Sequence, residues 1–392
     1  MRHLIIRNFG PLNNVDINLG QVNVIIGFQS SGKSCVLKTA CYCSWLEKRI
    51  ELAQGADELA NSTKFIDDLV AYYKMKSYVC DDTYIEYSSD YMTFSYEHKC
   101  QKFILEWDEK RWKYQKTKVS YVPSDRNIVA AIPAWSKLSL DYDNLLDFMG
   151  DWNIARQKMK VEENILNLGL AYVYDSASNT DKVKMKNGRS MLLSEGSSGV
   201  QSLVPLIVHL DYLAKGLYDV SESSSLHSYE EKEARKKLLS ILYRKANTND
   251  MTEEGKEMPY VVKIDGTDFF FHNADDADDF AVISKNYLNY QHNEIFLEEP
   301  EDNLFPPTQC QLVNWLLDDV MDEGRNDFLF VATHSPYVLD QMIKYKPENF
   351  RLLFTHQVSE EGKYDVKSLS DEEIADVYNN GVDLFFNFES YV

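Results

Sequence analysis

Val22-Asn23-Val24-Ile25-Ile26-Gly27-Phe28-Gln29-Ser30-Ser31-Gly32-Lys33-Ser34-Cys35 is a short apolar strand that breaks into a glycine-punctuated turn, and its reading decides the fold. The spacing Gly27-x-x-x-x-Gly32-Lys33-Ser34 lets the backbone curl so that several N–H groups point inward at a phosphate. Lys33 is then placed to reach the β- and γ-phosphates, and the Ser34 hydroxyl to hold Mg²⁺. A helix is expected from about Ser34 to Ile50, its positive N-terminal end facing the same pocket. Gly27, Gln29, Ser30, Ser31, Gly32, Lys33, Ser34 and Cys35 are therefore the nucleotide-binding residues of this loop, and the expected cofactors are ATP and Mg²⁺.

The remainder of the chain is that of a globular protein. Its 392 residues can bury a sizeable core, and 44% hydrophobic with 26% charged residues is ordinary for a soluble domain. No stretch approaches the roughly 18 uninterrupted apolar residues of a membrane span, and Met1-Arg2-His3-Leu4-Ile5-Ile6 runs into a strand pattern rather than a signal peptide. A cytoplasmic location without membrane contact is expected. Cys35, Cys41, Cys43, Cys80, Cys100 and Cys310 contain no C-x-x-C pair, so they read as reduced packing residues and not as a zinc hook.

A net charge of -21 argues against a surface that grips nucleic acid throughout. Local basic stretches remain at Lys110–Lys118, where cations interleave with aromatics, and from Arg235 to Lys245; a solvated face is the simpler use of both. The run Asp275-Asp276-Ala277-Asp278-Asp279 lacks the Gly and Glu of a calcium loop and reads as a solvated turn or partner-facing loop.

Leu4–Leu12 and Val15–Leu19 alternate as a hairpin around Gly10-Pro11. Ser44–Tyr78 has helical periodicity, Tyr84–Leu105 that of short aromatic strands, and the β pattern continues through Trp112 to Val122, where Pro123 ends it. Tyr84–Trp112 is also the candidate partner surface, with core packing the simpler use of most of its rings. Asp141–Leu168 reads as helix, Ala171–Tyr174 and Lys182–Lys186 as strands with an Asn187-Gly188 turn, Gln201–Lys245 as a long helical region, Thr248–Pro259 as loop and Tyr260–Ile264 as a hairpin strand.

A phosphate loop needs an acidic partner strand, and Glu294-Ile295-Phe296-Leu297-Glu298-Glu299 supplies it. Glu298 at the strand tip would join Ser34 around Mg²⁺, and Glu299 would deprotonate the attacking water. Phe328-Leu329-Phe330-Val331-Ala332-Thr333-His334 is another buried strand, ending in an imidazole placed to sense the γ-phosphate. Leu192–Ser202 is a Ser/Gly turn opening an apolar helix, a second anion-binding helix terminus. One chain has no need of two phosphate cradles unless the second serves a neighbour's nucleotide.

This order of phosphate loop, long insertion, Ser/Gly turn, acidic strand and His strand resembles the ATP-binding-cassette (ABC) ATPases. Glu298-Glu299-Pro300-Glu301-Asp302-Asn303-Leu304-Phe305-Pro306 with Thr333-His334-Ser335-Pro336 is most similar to their soluble branch, which includes the OLD and RecF-type proteins. The resemblance implies an α/β ABC-type P-loop ATPase head with an antiparallel β subdomain and helical insertions. It places Ser198, Gly199 and Gln201 against the ATP of a second subunit, so that two heads sandwich two ATPs in a homodimer or larger homo-oligomer. Three departures stand out: Glu298 replaces the usual Asp, Val200 replaces a signature glycine, and no glutamine loop is evident, Tyr121–Arg126 being its substitute.

The implied organisation is one discontinuous head over 1–392. Its nucleotide-binding core is 1–50 and 260–345, with an inserted region at 51–190, a signature helical region at 191–250 and a C-terminal extension at 346–392. Fewer than about sixty residues follow His334, too few for a nuclease domain of the OLD kind, and Asp371-Glu372-Glu373 with Asp383 fit a short helix and its surroundings. An ATPase switch or scaffold acting on a separately encoded effector follows, as in bacterial antiphage defence; the alternative is a RecF-like repair ATPase that binds DNA directly. A transporter subunit is disfavoured by the signature's form and the long insertion.

Overall fold

A computed structural model of the chain describes residues 2–137, 141–159, 162–218, 229–247, 258–322, 324–359 and 362–380. Strands β1 (Arg2–Phe9) and β2 (Leu12–Leu19) form the expected hairpin, and β3 (Val22–Gly27) leads into α1 (Lys33–Ala53). Helix α2 (Lys64–Tyr72) precedes the antiparallel run β4 (Tyr84–Ser88), β5 (Met92–Glu97) and β6 (Lys102–Trp107), then β7 (Thr117–Val122). After the short α3 (Ile128–Ala131) and α4 (Asn144–Lys158) comes a small sheet of β8 (Glu163–Asn164), β9 (Leu170–Asp175), β10 (Thr180–Met185) and β11 (Ser190–Leu192). Helices α5 (Ser198–Ala214) and α6 (Tyr229–Ala246), the hairpin β12 (Tyr260–Ile264) and β13 (Thr267–Phe271), and α7 (Ala274–Leu288) follow. The chain then alternates β14 (His292–Glu298), α8 (Pro306–Trp315), β15 (Phe328–Ala332), α9 (Pro336–Tyr345), β16 (Phe350–Gln357), β17 (Tyr364–Ser368) and α10 (Asp371–Asn380).

Eleven strands join in one sheet of order β6-β5-β4-β1-β2-β17-β16-β3-β15-β14-β7. The five from β16 to β7 are mutually parallel, so their carboxyl ends open on one edge, where ligand loops of such sheets lie. Period-two alternation divides the apolar side chains between the two faces. Val24, Ile26, Ile295, Leu297 and Val331 pack with α5, α8 and α9 residues, whereas Ile25, Phe296, Phe330 and Leu353 face α1 and α2. Every residue of β3 and β14 is buried, as strands covered on both faces must be.

Four sequence expectations change. Within the stretch read as a C-terminal extension, β16 lies parallel and next to β3, pairing Phe350–Thr355 with Val22–Gly27, and β17 pairs with β2. Likewise β7, placed in the 51–190 insertion, pairs parallel with β14, while β4–β6 extend the same sheet through β1. Residues 260–288, assigned to the nucleotide core, build with α6 a separate core around Phe269, Phe271, Phe280 and Tyr287. The acidic run at 275–279 is neither turn nor loop. It occupies the first turns of α7, where Asn273 caps Asp276 N at 2.8 Å and the carboxylates complement the helix dipole.

Smaller differences have local causes. The helix expected over 141–168 stops at Lys158, and the β pattern through Trp112 is interrupted by a turn at Arg111–Lys113. Residues 248–257, 219–228 of the helical region, and 381–392 with Asp383 lie outside the described residues. Tyr87, Phe94 and Tyr96 of the candidate partner surface take the simpler use and form core, stacking around Phe65 and Phe103.

Among the described residues the basic stretches are largely paired. Lys118 binds Asp151 at 2.8 Å, Arg111 stacks on Trp107 and Trp112, and Arg235 holds Asp265 at 2.9 Å. Among the same residues no helix is long and apolar enough to cross a membrane.

Candidate functional site

The five parallel strands deliver the loop after β3, Glu298-Glu299 after β14, Thr333-His334 after β15, Thr355 of β16 and Pro123–Arg126 after β7 to one edge. Register sets them side by side: Glu298 pairs with Ala332, and Ala332 with Ile25.

The loop after β3 is shaped by what it touches. Gly27, at φ 146°, lies so close to β16 that a Cβ would stand 1.9 Å from Thr355 Oγ1. Gly32, at φ 96°, would meet Leu12 at 2.6 Å. Ser31 is buried, its hydroxyl held by Phe28 O at 2.7 Å and by the Thr355 hydroxyl, and its backbone N–H, the one group left for phosphate, donates to Phe28 O at 3.3 Å within the turn. Gln29 and Ser30 are exposed on the rim. Cys35 turns its thiol into the core, where burial pushes its pKa up to about 12; it too can offer a ligand only its N–H.

The Lys33 ammonium folds back onto its own loop, donating to Gly27 O at 3.0 Å and Phe28 O at 2.7 Å. Burial lowers its pKa to about 8, against the opposing pull of Glu299 and Glu301. A cation held only by carbonyls, one helical step before Ser34, is a site that fits a polyphosphate.

Glu298 ends β14 and is buried. Its Oε2 accepts the Tyr121 hydroxyl and its Oε1 lies 3.5 Å from Lys38 Nζ, one turn beyond Ser34 on α1. Ser34 and Glu298 supply hard oxygen donors that suit Mg²⁺, an ion bound by one or two protein oxygens together with substrate phosphates. Lys38 provides the positive charge beside this carboxylate in the structure, and among the described residues no cluster of three or more His, Cys, Asp or Glu forms a complete protein cage.

Glu299 sits in the left-handed region at φ 45°, costly for a residue with a Cβ, and its Oε1 faces His334 Nε2 at 3.2 Å. The hydrogen bond to His334 holds its carboxyl below the usual range despite partial burial. Glu301 braces the other side: its Oε1 accepts Thr333 Oγ1 at 2.8 Å and His334 N at 2.7 Å, fixing the imidazole's backbone. Burial raises the pKa of Glu301.

Arg126 is the side chain that organises this edge. It is 1% exposed, and its five N–H donors meet five carbonyl oxygens: Pro123 at 3.3 Å, Glu298 at 3.1 Å, Glu299 at 2.9 Å, Pro300 at 3.1 Å and Ser202 at 3.3 Å. Tyr121–Arg126, the glutamine-loop substitute of the sequence reading, thus carries a buried cation. Its cation turns inward and joins the backbone around Glu299 to α5.

At the start of α5, Ser197 caps the helix and Ser198 is exposed. Gly199 packs on the segment after Glu299, where a Cβ would stand 2.8 Å from Asn303 O. Gln201, expected against the ATP of a second subunit, donates within this chain to Ser194 O at 2.9 Å and Gly196 O at 3.0 Å, bracing the turn. Sequence reading missed Thr355, Lys38, Glu301 and the inward role of Arg126; only Glu301 had a local signal, in Glu299-Pro300-Glu301.

A glycine-punctuated loop after a strand of the parallel set, a carboxylate pair and a histidine on neighbouring strand tips, and a Ser/Gly helix start packed behind them converge on one edge of this α/β fold. No protein-family model and no curated protein matches this chain. Among solved structures it is similar to the SMC head domain of Thermotoga maritima, with 11% identity over 94% of this chain and 100% of the other, at a TM-score of 0.42. The Pyrococcus furiosus Smc head with an extended coiled coil, bound to the C-terminal domain of ScpA, gives 9% identity, 97% and 99% coverage and a TM-score of 0.41. RecF with ATPγS gives 12%, 94% and 97%, and 0.29.

Proposed function

We propose that this chain binds ATP with Mg²⁺, hydrolyses it, and pairs head to tail with a second copy around the nucleotide. The observation that carries the reading is the convergence of Lys33, Glu298, Glu299 and His334 on one strand edge. With nucleotide bound, Lys33 would exchange its loop carbonyls for the β- and γ-phosphates, and Ser34 and Glu298 would hold Mg²⁺, which would supply charge neutralisation at the phosphates. Glu299, kept ionised, takes the proton of the attacking water, and His334 turns from Glu299 to hydrogen-bond the γ-phosphate. Ser198 and Gly199 serve the second head: within this chain the contacts of their turn run to 194–196, 126 and 303 rather than to the phosphate loop.

The broader role is a switch or scaffold of the OLD-like group, acting on a separately encoded effector in antiphage defence within the cytoplasm. Direct DNA clamping in the RecF manner has less support, since the basic stretches are engaged with acidic and aromatic neighbours.

Ser198→Arg tests the assembly. ATP affinity should stay within about threefold, while the ATP-dependent dimer seen by light scattering is lost. A dimer of unchanged stability overturns the trans contact.

Lys33 also sets a pH dependence. Phosphate restores the ammonium's high pKa, so the affinity it contributes is complete below about 8 and declines as pH rises beyond that, by up to about tenfold per unit. Titration with a fluorescent ATP analogue from pH 7 to 9.5 should show this slope, and Lys33→Arg, which stays charged, should flatten it.

A further inference from the structure

Between α1, α2, β7 and α4 lies a cavity of about 390 Å³, within the size range of small-molecule sites. Its floor is Tyr73 and Tyr121, both buried and edge-to-face at 5.2 Å. One wall is Tyr42 stacked on Trp45 at 5.7 Å, and the other is Tyr72, 5.8 Å from Tyr142. Trp45 remains 37% exposed and Tyr142 72% exposed at the mouth, large ring faces that burial would ordinarily cover.

The polar groups of the lining select the occupant. Arg49 and Lys64 both pair with Asp68, at 3.8 and 3.1 Å, and Arg49 also pairs with Glu58. Asp147 accepts the Tyr72 hydroxyl at 2.7 Å. The cations are thus already neutralised, so the cavity has no surplus positive charge for a phosphate. What it offers is several π-faces with both acceptors, Asp68 and Asp147, and donors, Arg49 and Lys64. A planar heteroaromatic ring carrying donors and acceptors on its edge matches that set.

We propose that this cavity binds a single nucleobase, as a nucleoside, and that it is a regulatory site distinct from the phosphate loop. The link to the ATPase is direct. The Tyr121 ring forms part of the floor and its hydroxyl donates to Glu298, so an occupant that moves the ring acts on the carboxylate assigned to Mg²⁺. This coupling rests on the ATPase reading, whereas binding to the cavity does not.

The test titrates adenosine, guanosine, cytidine, uridine and thymidine into the full chain by calorimetry, with ATPγS and Mg²⁺ saturating the other site. At least one nucleoside should bind, its 5′-monophosphate more weakly, and Trp45→Ala should weaken it about tenfold while ATP affinity and turnover stay unchanged. Asp147→Asn should weaken it as well. Tyr121→Phe keeps the ring, so binding should persist while the nucleoside's effect on ATP turnover disappears. No binding of any of the five up to about 1 mM, or binding that Trp45→Ala and Asp147→Asn leave unchanged, overturns the proposal. Tighter, salt-sensitive binding of short single-stranded oligonucleotides than of nucleosides also overturns it, since the source would then be a nucleic-acid strand. Failure of ATP itself to bind would reject the ATPase reading and leave the nucleoside result standing.

Discussion

Glu299→Gln should lower ATP turnover by about 10²-fold or more while ATP stays bound and the dimer becomes longer-lived. The reason is chemical rather than steric. Gln fills the same volume and can keep a hydrogen bond to His334, but its amide cannot accept the proton of the attacking water. Glu299 is suited to that task because its contact with His334 at 3.2 Å holds the carboxyl ionised. Its left-handed backbone, φ 45°, aims the side chain at the strand edge and is itself held by the Arg126 bond to Glu299 O. Single-turnover hydrolysis with light scattering on the same sample separates the two effects. A variant that hydrolyses at the parent rate would remove Glu299 from the mechanism.

Arg126→Met should cost several kcal/mol of stability, because five carbonyl oxygens lose a donor and four of these contacts are wholly buried, while Glu299 O keeps another partner, the Asp302 N–H at 3.1 Å. Each buried acceptor left unpaired costs about 1–3 kcal/mol, less where water can enter, against a total stability of about 5–15 kcal/mol. Arg126→Lys retains the cation but has three donors and no planar fork, so it should fold and act as a partial replacement. In that variant ATP affinity should hold within about threefold, since no bond of Arg126 reaches the phosphate loop, while turnover falls about tenfold through a loosened Glu299 backbone. Denaturant unfolding together with the kcat-against-KM split makes the measurement. Equal losses in affinity and turnover would point to general damage instead of positioning.

The parts of the site that the sequence displayed are those built from contiguous residues. Gly27 to Ser34 is a closed local geometry, and Glu298-Glu299 and Thr333-His334 each mark a strand tip after an apolar run. The missed parts are contacts over long separations. Arg126 reaches residues 172 to 174 positions away, and Ser31 meets Thr355 at a separation of 324. No periodicity signals such partners. Gln201 likewise has partners that no pattern signals, its amide bridging the carbonyls at 194 and 196 within the turn.

By itself, the sequence determined the α/β class, the glycine-punctuated loop between β3 and α1, the acidic and histidine strand tips and most individual strands, because period-two and period-3.6 patterns and glycine turns are local consequences of backbone sterics. Only the tertiary structure decided that the chain's last quarter supplies β16, the immediate neighbour of the phosphate-loop strand, and that β7 closes the parallel set on the other side. Only it placed Arg126 at the junction of β14 and α5. Strand order and the partners of a buried cation follow from burying every apolar face and pairing every buried polar group at once.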